Sequence, residues 1–410
     1  MLITNIKYLV NVREEIKLLR GNELAHLPIL ENAFLKIKDN LIEDYGLMSE
    51  LKESDFKDEI YDAKQATVLP SWCDSHTHLV FAATRENEFI DKIKGLSYAE
   101  IAVKGGGILN SAKKLNETTE ELLLELAQTR LNELVKLGTG AVEIKSGYGL
   151  SIEGELKMLR VIQQLKKQNS IPIKSTFLGA HAFPENYKQD RKAYIDLIIH
   201  EMLPKIAKEN LADYIDVFCE QGFFTQEETE KICFAGTSYG LKPKIHANQL
   251  NISGGVQAGS NTNAISVDHL ETIGDEEIQL LSQTNSPIAT LLPGCSFFLN
   301  MQYAPARQLI ENNAAIVLAS DYNPGSSPSG NMNFVVALAC IQLKMLPEEA
   351  INAATLNGAF AMELQNEVGS ITIGKRANLI FTQPISSLSL LPYSFGTNLI
   401  DKIMINGNFI

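Results

Sequence analysis

The chain has 410 residues, a formal net charge of −13 and 45% apolar residues. This length suits a large barrel with a smaller partner domain, and the acidic balance argues against nucleic-acid binding, which needs concentrated Lys and Arg. We expect neither a secretory signal nor a membrane span, because the apolar runs are short and broken. The five cysteines are scattered without a CxxC pair, which favours reduced thiols in a cytoplasmic protein.

The two ends of the chain share one pattern. Residues 1–64 and 366–410 alternate polar and apolar positions in short stretches, which is typical of antiparallel strands with one buried face. Neither end is long enough for a comfortable core of its own. We therefore predict that they pair into one small composite β-sandwich domain, with two separate appendages as the alternative.

Residues 65–365 alternate short apolar runs with helical stretches. The runs do not alternate in polarity, which indicates strands buried on both faces, as in parallel sheets. Eight strand–helix units predict an α/β fold with a (β/α)₈ TIM barrel, and a doubly wound open sheet is the competing topology. The eight runs are 67–73, 141–146, 173–180, 214–219, 243–247, 264–268, 287–292 and 315–320.

Capping signals mark several of the helices between these runs. Thr118-x-x-Glu121 predicts a helix that ends at Gly138, and Thr225-x-x-Glu228 predicts one that closes near Gly240. Helical periodicity also covers 153–168, 190–209 and 347–364.

Five of the seven histidines fall at or just past the carboxyl ends of predicted strands. Active sites of (β/α)₈ barrels lie at that face, because the loops after the strands converge there. The five are His76, His78, His181, His246 and His269. The other two, His26 and His200, are expected to be ordinary surface or helix residues.

His76 and His78 form a His-x-His pair in which both imidazoles can face one cation, since residues i and i+2 of an extended segment point to the same side. His246 ends the fifth run and Asp321 ends the eighth. Three imidazoles and a carboxylate suit one divalent metal, Zn²⁺ or Fe²⁺, with a position left for water. Asp321 could also accept a proton from that water, and the alternative is an N-cap of the following helix.

His269 and His181 end the sixth and third runs. We predict that His269 is a fifth ligand or an acid/base, and that His181 is a hydrogen-bond donor to the substrate. The alternative for each is a buried histidine that only hydrogen-bonds its neighbours.

Polar residues on the same rim are candidates for substrate contacts. Arg85 could clamp a carboxylate with two N–H groups, and Tyr148 lies between two glycines in a turn that could present its hydroxyl inward. Gln249 could hydrogen-bond an amide or amidine, and the segment 323–326 offers backbone donors and a hydroxyl. The glycine run 105–107 is interpreted as a flexible loop or lid.

Together these segments resemble the amidohydrolase superfamily. The resemblance covers essentially the whole chain, and it implies a distorted (β/α)₈ barrel, a small β-sandwich made from both termini, and metal ligands on strands one, five, six and eight. The segments that carry it are VLPSWCDSHTH at 68–78, IHANQ, SVDHLE, SDYNPGSSP, GSITIGKRANLI at 369–380 and the closing NG at 406–407.

The resemblance also implies a reaction, the hydrolysis of a ring C–N bond of 4-imidazolone-5-propanoate to N-formimidoyl-L-glutamate. It assigns the metal to His76, His78, His246 and Asp321, and the catalytic proton transfers to Asp321 and His269. The implied substrate contacts are Arg85, Tyr148, His181, Gln249, Asn323, Gly325 and Ser326.

Two departures bear on the chemistry. Some relatives carry Glu where this chain has Gln249, so proton transfer falls here to Asp321, His269 or water. The fourth run ends in Phe-Cys-Glu at 218–220 without the lysine that bridges two metals in related enzymes, and Lys145 on the second run is in the wrong place for a bridge. We therefore predict one metal per subunit. The exposed faces of a barrel separately favour a homodimer.

Two other functions stay open. A related amidohydrolase could act as a deaminase or lactam hydrolase on a heterocyclic base, and Arg85 discriminates because a neutral base has no carboxylate to clamp. A non-catalytic barrel scaffold is the remote alternative, against which the intact ligand set argues.

Overall fold

The computed structural model describes residues 1–57, 59–96, 100, 104 and 106–410. The described strands form two sheets. They are β1 (Leu2–Val10), β2 (Ile29–Lys38), β3 (Leu41–Leu47), β4 (Ile60–Asp62), β5 (Thr67–Pro70), β6 (Trp72–Thr77), β7 (Thr139–Lys145), β8 (Ile173–Ala180), β9 (Tyr214–Cys219), β10 (Lys242–Ala247), β11 (Ser266–His269), β12 (Ile288–Leu291), β13 (Ile316–Leu318), β14 (Leu379–Thr382), β15 (Ile400–Ile405) and β16 (Asn408–Phe409).

Both chain ends build the first sheet, in the order β16-β15-β14-β5-β1-β2-β3, with β4 paired to β1. The backbone that leads into β14 returns to the β2–β3 hairpin, because Gly374 N–H donates to Ile42 O at 2.8 Å and Ala377 N–H donates to Asn40 O at 3.0 Å. The sheet thereby curls around one apolar cluster, which includes Phe381. We call this unit the terminal sheet.

The run 67–73, predicted as one barrel strand, is two strands. β5 pairs with β1 and β14 in the terminal sheet, and β6 pairs with β7 in the barrel. Ser71 joins them and is itself buried. The prediction was wrong here because the chain passes from one buried core into another, so its apolar run has no polar break at the boundary.

Strands β6 to β13 are parallel, each paired with its neighbours in sequence. The two edges of this sheet meet, because Asp321 N–H donates to His76 O at 3.0 Å and His78 N–H donates to Tyr322 O at 2.8 Å. These contacts nearly close the sheet, so the predicted (β/α)₈ barrel is confirmed and the open doubly wound sheet is excluded. The remaining predicted strands match the observed ones closely.

Helices surround the barrel. They are α1 (Glu86–Ile93), α2 (Ile108–Glu117), α3 (Glu120–Lys136), α4 (Ile152–Gln168), α5 (Arg191–Leu197), α6 (Leu203–Glu209), α7 (Gln226–Ser238), α8 (Gly255–Asn261), α9 (Asp275–Leu281), α10 (Pro293–Leu299), α11 (Ala306–Glu311), α12 (Met332–Ile341), α13 (Pro347–Ala354), α14 (Leu356–Ala361) and α15 (Leu390–Tyr393). Short 3₁₀ turns occupy Gly21–Ala25, Met48–Glu50, Glu53–Lys57 and Glu185–Tyr187, and a π-helical segment, Ile198–Met202, joins α5 to α6.

The helix ends test the capping predictions. The box at Thr225 is confirmed, because its hydroxyl accepts from Glu228 N–H at 3.2 Å and Glu228 Oε2 accepts from Thr225 N–H at 2.9 Å. The cap of α3 is Thr119, whose hydroxyl accepts from Leu122 N–H. The prediction of Thr118 was wrong by one residue, because the Thr118 hydroxyl donates to a carbonyl at the end of α2.

The helix predicted over 347–364 is two helices. They meet at Thr355, where the backbone leaves helical geometry with φ −121° and ψ −87°. The Thr355 hydroxyl donates to Ile351 O at 2.6 Å and accepts from Asn11 in β1's exit at 3.1 Å. This contact with the distant chain end is invisible to local periodicity.

Candidate metal centre

Four predicted ligands meet at the carboxyl end of the barrel. His76 lies near the end of β6, His78 directly follows that strand, His246 lies near the end of β10, and Asp321 follows β13. The Nε2 atoms of His76 and His78 are 3.3 Å apart, and Nε2 of His246 is 3.4 Å from Nε2 of His78. Asp321 Oδ1 lies 3.6 Å from Nε2 of His76 and 3.6 Å from Nε2 of His78.

These separations fit donor atoms that share one small cation. Tetrahedral ligands with bonds of about 2.0–2.1 Å stand roughly 3.3–3.4 Å from one another. All four side chains are buried. Burial, followed by neighbouring positive charge, holds the pKa of His76 and His78 well below the ordinary value, so both rings stay neutral. Three imidazoles and a carboxylate therefore fit a divalent metal ion.

Each of two ligand histidines has a carboxylate behind it. His76 Nδ1 donates to Asp268 Oδ2 at 2.6 Å, which leaves Nε2 as the lone-pair nitrogen. His246 Nδ1 lies 3.0 Å from Asp216 Oδ2. Carboxylates in this position fix the tautomer and the ring orientation of metal-ligating histidines. Sequence reasoning missed both, although a single Asp inside an apolar strand needs a buried partner and was the available signal.

The backbone is strained at two site residues. His269 has φ +89° and Asp321 has φ +53°, in the left-handed region that few non-glycine residues adopt. Such a conformation costs about 1–3 kcal/mol and persists where the surrounding contacts enforce it. At Asp321 the bond from its N–H to His76 O is such a contact. This backbone conformation sets the direction of both side chains at the strand ends. It could not be predicted from the sequence, because neither His nor Asp requires a positive φ.

His269 lies beside the ligand set. A donor atom of His269 falls within 4.8 Å of donors of His76 and Asp321, and its Nδ1 is 3.3 Å from Glu271 Oε1. Burial by itself lowers the pKa of His269, but Glu271 and Cys295 outweigh it and raise that pKa well above the ordinary value. The sequence left open whether His269 only hydrogen-bonds its neighbours or also serves the site. Its ring does contact Glu271, and it also lies beside the metal centre.

Three other predicted residues form a wall that starts at the metal ligands. The His181 ring stacks on the His78 ring with centroids 5.4 Å apart, and the Tyr148 ring lies 5.6 Å from the His181 ring. The Arg85 guanidinium lies over the Tyr148 ring, 5.9 Å from its centroid. We call Arg85, Tyr148 and His181 the substrate wall.

The tautomer of His181 changes its predicted role. Its Nδ1 faces Gly147 O at 3.0 Å and must carry the hydrogen, since a carbonyl only accepts. Burial lowers the pKa of His181 to about 3, which keeps the ring neutral. Its Nε2 is therefore a hydrogen-bond acceptor in this tautomer and not the donor that we expected.

A buried carboxylate holds the turn that carries Tyr148. Glu155 on α4 accepts from the N–H groups of Gly147, Gly149 and Leu150 at 3.0, 2.8 and 2.9 Å. Gly147 has φ +110°, which a side chain would not tolerate. The predicted tight turn is present, but Glu155, which anchors it, was not foreseen because its partners are backbone groups.

The loop after Asp321 is held by Asn323. Its Nδ2 donates to Asp321 O at 2.6 Å and to Ser326 Oγ at 2.8 Å, and its Oδ1 accepts from Gly325 N–H and Ser326 N–H at 2.8 Å each. The Asn323 amide is thereby fully engaged inside its own loop. Ser326 Oγ also lies 3.3 Å from Asp321 Oδ2, so this loop reaches the metal centre.

The same loop lies against Arg85. A Cβ added at Gly325 would lie 2.5 Å from Arg85 Nη1, so any other residue there would displace the guanidinium from its present position. Arg85 Nε donates to Ser111 Oγ at 2.9 Å. Gln249 Nε2 donates to Cys295 Sγ at 3.3 Å. The glycine run 105–107 begins at Gly105, which lies outside the described residues, so the lid stays a prediction.

Comparisons with known proteins identify the family of this chain. The family model described as "Amidohydrolase family" matches residues 67–410. The imidazolonepropionase of Flavobacterium johnsoniae is 59% identical over 100% of this chain and 99% of its own length. That of Christiangramia forsetii is 55% identical over 100% of both chains. A crystal structure of 5-methylcytosine deaminase from Klebsiella pneumoniae superposes with a TM-score of 0.74 at 15% identity, covering 100% of this chain and 98% of that one.

The chain therefore belongs to the amidohydrolase family, whose members are typically metal-dependent. Its full-length relatives place it among the imidazolonepropionases, and it is a hydrolase that acts on C–N bonds. The likeness to the deaminase structure shows the shared fold alone. Among the described helices, none combines the length and the apolar character that crossing a membrane requires.

Proposed function

We propose that this protein hydrolyses 4-imidazolone-5-propanoate to N-formimidoyl-L-glutamate in histidine catabolism, as the names of its relatives suggest. The observation that carries the proposal is one continuous surface, in which the substrate wall connects a four-ligand metal centre to the Arg85 guanidinium. A small ring that bears a carboxylate chain matches this surface. The ring would lie at the metal centre, and the carboxylate would bind the guanidinium of Arg85.

Arg85 would bind the propanoate carboxylate. Its Nε is engaged by Ser111, so its terminal nitrogens are directed elsewhere, and Nη1 borders Gly325. A guanidinium suits a carboxylate because two parallel N–H groups match two oxygens. Tyr148 and Gln249 would contact the ring, and His181 would accept a hydrogen bond from a ring N–H. Asn323 would orient Gly325 and Ser326 beside the substrate.

The metal centre would hold one Zn²⁺ or Fe²⁺ on His76, His78, His246 and Asp321. When bound, such an ion supplies Lewis acidity and lowers the pKa of water. Asp321 would accept the proton of the attacking water as a general base, because its carboxylate lies beside the other residues that would hold the ion. The new C–O bond forms at the ring carbonyl carbon and the adjacent ring C–N bond breaks.

His269 would serve the leaving nitrogen or the developing oxyanion. Its Nδ1 faces Glu271, and a nitrogen of the same ring lies within 4.8 Å of donor atoms of His76 and Asp321. A protonated imidazole at that place can stabilise negative charge and then give its proton to the nitrogen that leaves. Gln249 takes no part in proton transfer, because an amide does not titrate.

Turnover of freshly prepared 4-imidazolone-5-propanoate, with metal content measured in the same sample, tests the proposal. We expect activity that scales with bound Zn²⁺ or Fe²⁺. Full activity in metal-free protein would overturn the mechanism. One metal ion per subunit and a cytoplasmic location stay predictions, as does the homodimer, which sedimentation velocity would test.

Arg85→Ala separates this function from that of a deaminase of a neutral base. We expect a loss of about 2–5 kcal/mol in apparent substrate affinity, which is roughly 30- to 5,000-fold in KM. Arg160→Ala, which removes an exposed guanidinium paired with Glu209, is the matched control and should leave KM unchanged. If Arg85→Ala also left KM unchanged, the acid end of the substrate would be bound elsewhere.

A further inference from the structure

Below the metal ligands the barrel encloses five charged side chains, each without solvent exposure. We call Glu143, Lys145, Asp216, Lys244 and Asp268 the interior ion cluster. Charges buried to this degree are costly unless each has a partner. Two lysines face three carboxylates here, which leaves one net negative charge toward the metal centre. An apolar filling would have been the ordinary way to pack a barrel of this kind.

Lys145 is the member that reaches both histidine-holding carboxylates. Its Nζ is 2.8 Å from Asp216 Oδ2, 2.7 Å from Glu143 Oε1 and 3.5 Å from Asp268 Oδ2. The same two oxygens, Oδ2 of Asp216 and Oδ2 of Asp268, face Nδ1 of His246 and of His76. One ammonium group therefore joins the two carboxylates at the atoms that orient two ligands on strands β10 and β6.

Lys244 differs in its partners. Its ammonium pairs with Glu143 Oε2 and donates to Ser75 O at 3.3 Å. It has the same burial as Lys145 and shares Glu143 with it, but no ion pair joins it to Asp216 or Asp268 in the described structure. The cluster thus holds two buried lysines, of which Lys145 forms direct ion pairs with Asp216 and Asp268, whereas Lys244 acts on Asp268 only through its charge at longer range.

We propose that Lys145 is a positioning residue for the metal centre, which holds Asp216 and Asp268 together so that Nε2 of His246 and of His76 point at one cation. Two buried carboxylates repel each other, and the ammonium between them offsets this repulsion and fixes their separation. Ligand supports of this kind typically change metal affinity 10- to 100-fold when they are lost. The inference rests on the metal site of the proposed function.

The test compares metal binding by three metal-free proteins, the wild type, Lys145→Met and Lys244→Met. Zn²⁺ affinity is measured by competition with a chelating indicator, and the Co²⁺ absorption spectrum reports the coordination geometry. We expect Lys145→Met to weaken Zn²⁺ binding about 10- to 100-fold and to change the Co²⁺ bands. Lys244→Met should change Zn²⁺ affinity by less than about threefold, although it too removes a buried charge from the cluster and the ion pair with Glu143.

The outcomes separate the two proposals. A wild type that binds no Zn²⁺ or Co²⁺ would contradict the metal site itself. A wild type that binds, with equal affinity changes in both lysine variants, would overturn the role of Lys145. If thermal denaturation shows that Lys145→Met does not fold, Lys145→Gln replaces it, because glutamine keeps a polar side chain but removes the charge that pairs with Asp216 and Asp268. Wild-type Zn²⁺ affinity in folded Lys145→Gln would equally overturn the inference.

Discussion

The core of the terminal sheet and the interior of the barrel differ in the types of residue that they bury. In the described strands of the terminal sheet no charged side chain is buried, whereas the barrel strands bury Glu143, Lys145, Asp216, Lys244 and Asp268 together. Apolar burial stabilises a fold without regard to chemistry, while buried charge costs free energy and is retained where it positions something. The contrast predicts that the barrel interior determines activity and that the terminal sheet determines stability.

Removal of a metal ligand should have the largest effect. His246→Ala deletes one of four donors, and we expect loss of the bound metal together with several kcal/mol of transition-state stabilisation, at least about 10³-fold in kcat/KM. Metal analysis and initial rates measure both. His200→Ala, at an exposed histidine of the π-helical segment, is the control and should match the wild type. Retained metal in His246→Ala would contradict the ligand assignment.

The opposite result is expected in the terminal sheet. Phe381 on β14 is buried and contacts the rings of Tyr61 and Phe409. Phe381→Ala should lower the free energy of unfolding by about 3–5 kcal/mol, because it leaves a cavity, while KM of the folded fraction stays unchanged. Phe395→Ala, at a ring that is 62% exposed, should change stability by less than about 0.5 kcal/mol. A large rise in KM in Phe381→Ala would contradict the prediction that the terminal sheet determines stability and not activity.

Between these extremes lie the anchors of the active-site loops. Glu155→Gln retains the shape of the side chain but weakens the three backbone hydrogen bonds that hold the Tyr148 turn. We expect a loss of about 1–3 kcal/mol, seen mainly as an increase in KM. Glu153→Gln, at an exposed position on the same helix, should be silent. Equal KM values in both variants would show that the turn holds without Glu155.

The smallest effect concerns the exposed ends of the outer helices, whose apolar faces pack into the barrel core. Thr119→Ala removes the cap of α3 and should lower the free energy of unfolding by about 1 kcal/mol. Thr118→Ala should cost only a few tenths, because its hydroxyl does not cap a helix start. Chemical denaturation of the two variants measures the difference. A larger loss of stability in Thr118→Ala than in Thr119→Ala would show that Thr118 is the cap, as the sequence pattern predicted.

Much of the site was readable before the structure. The spacing of His76 and His78, the strand-end places of His246 and Asp321, and the arginine after the first strand all follow from local pattern, because strand ends converge at one face of a barrel. The carboxylates behind the ligands were not found, although Asp216 and Asp268 interrupt apolar runs. Neither Glu155 nor Asn323 could be assigned its role, because each binds backbone groups whose approach depends on the loop path.

The sequence by itself determined the eight parallel strands, the composite sheet from the two chain ends and the residues that could bind a metal, because these follow from periodicity and from residue chemistry. Only the tertiary structure decided where β5 leaves one core and β6 enters the other, which tautomer His181 adopts, and that Lys145 joins the supports of two ligands. Each of these depends on contacts between segments that are far apart in the chain. Periodicity in the sequence predicts that a residue is buried, but it does not predict which residue it contacts.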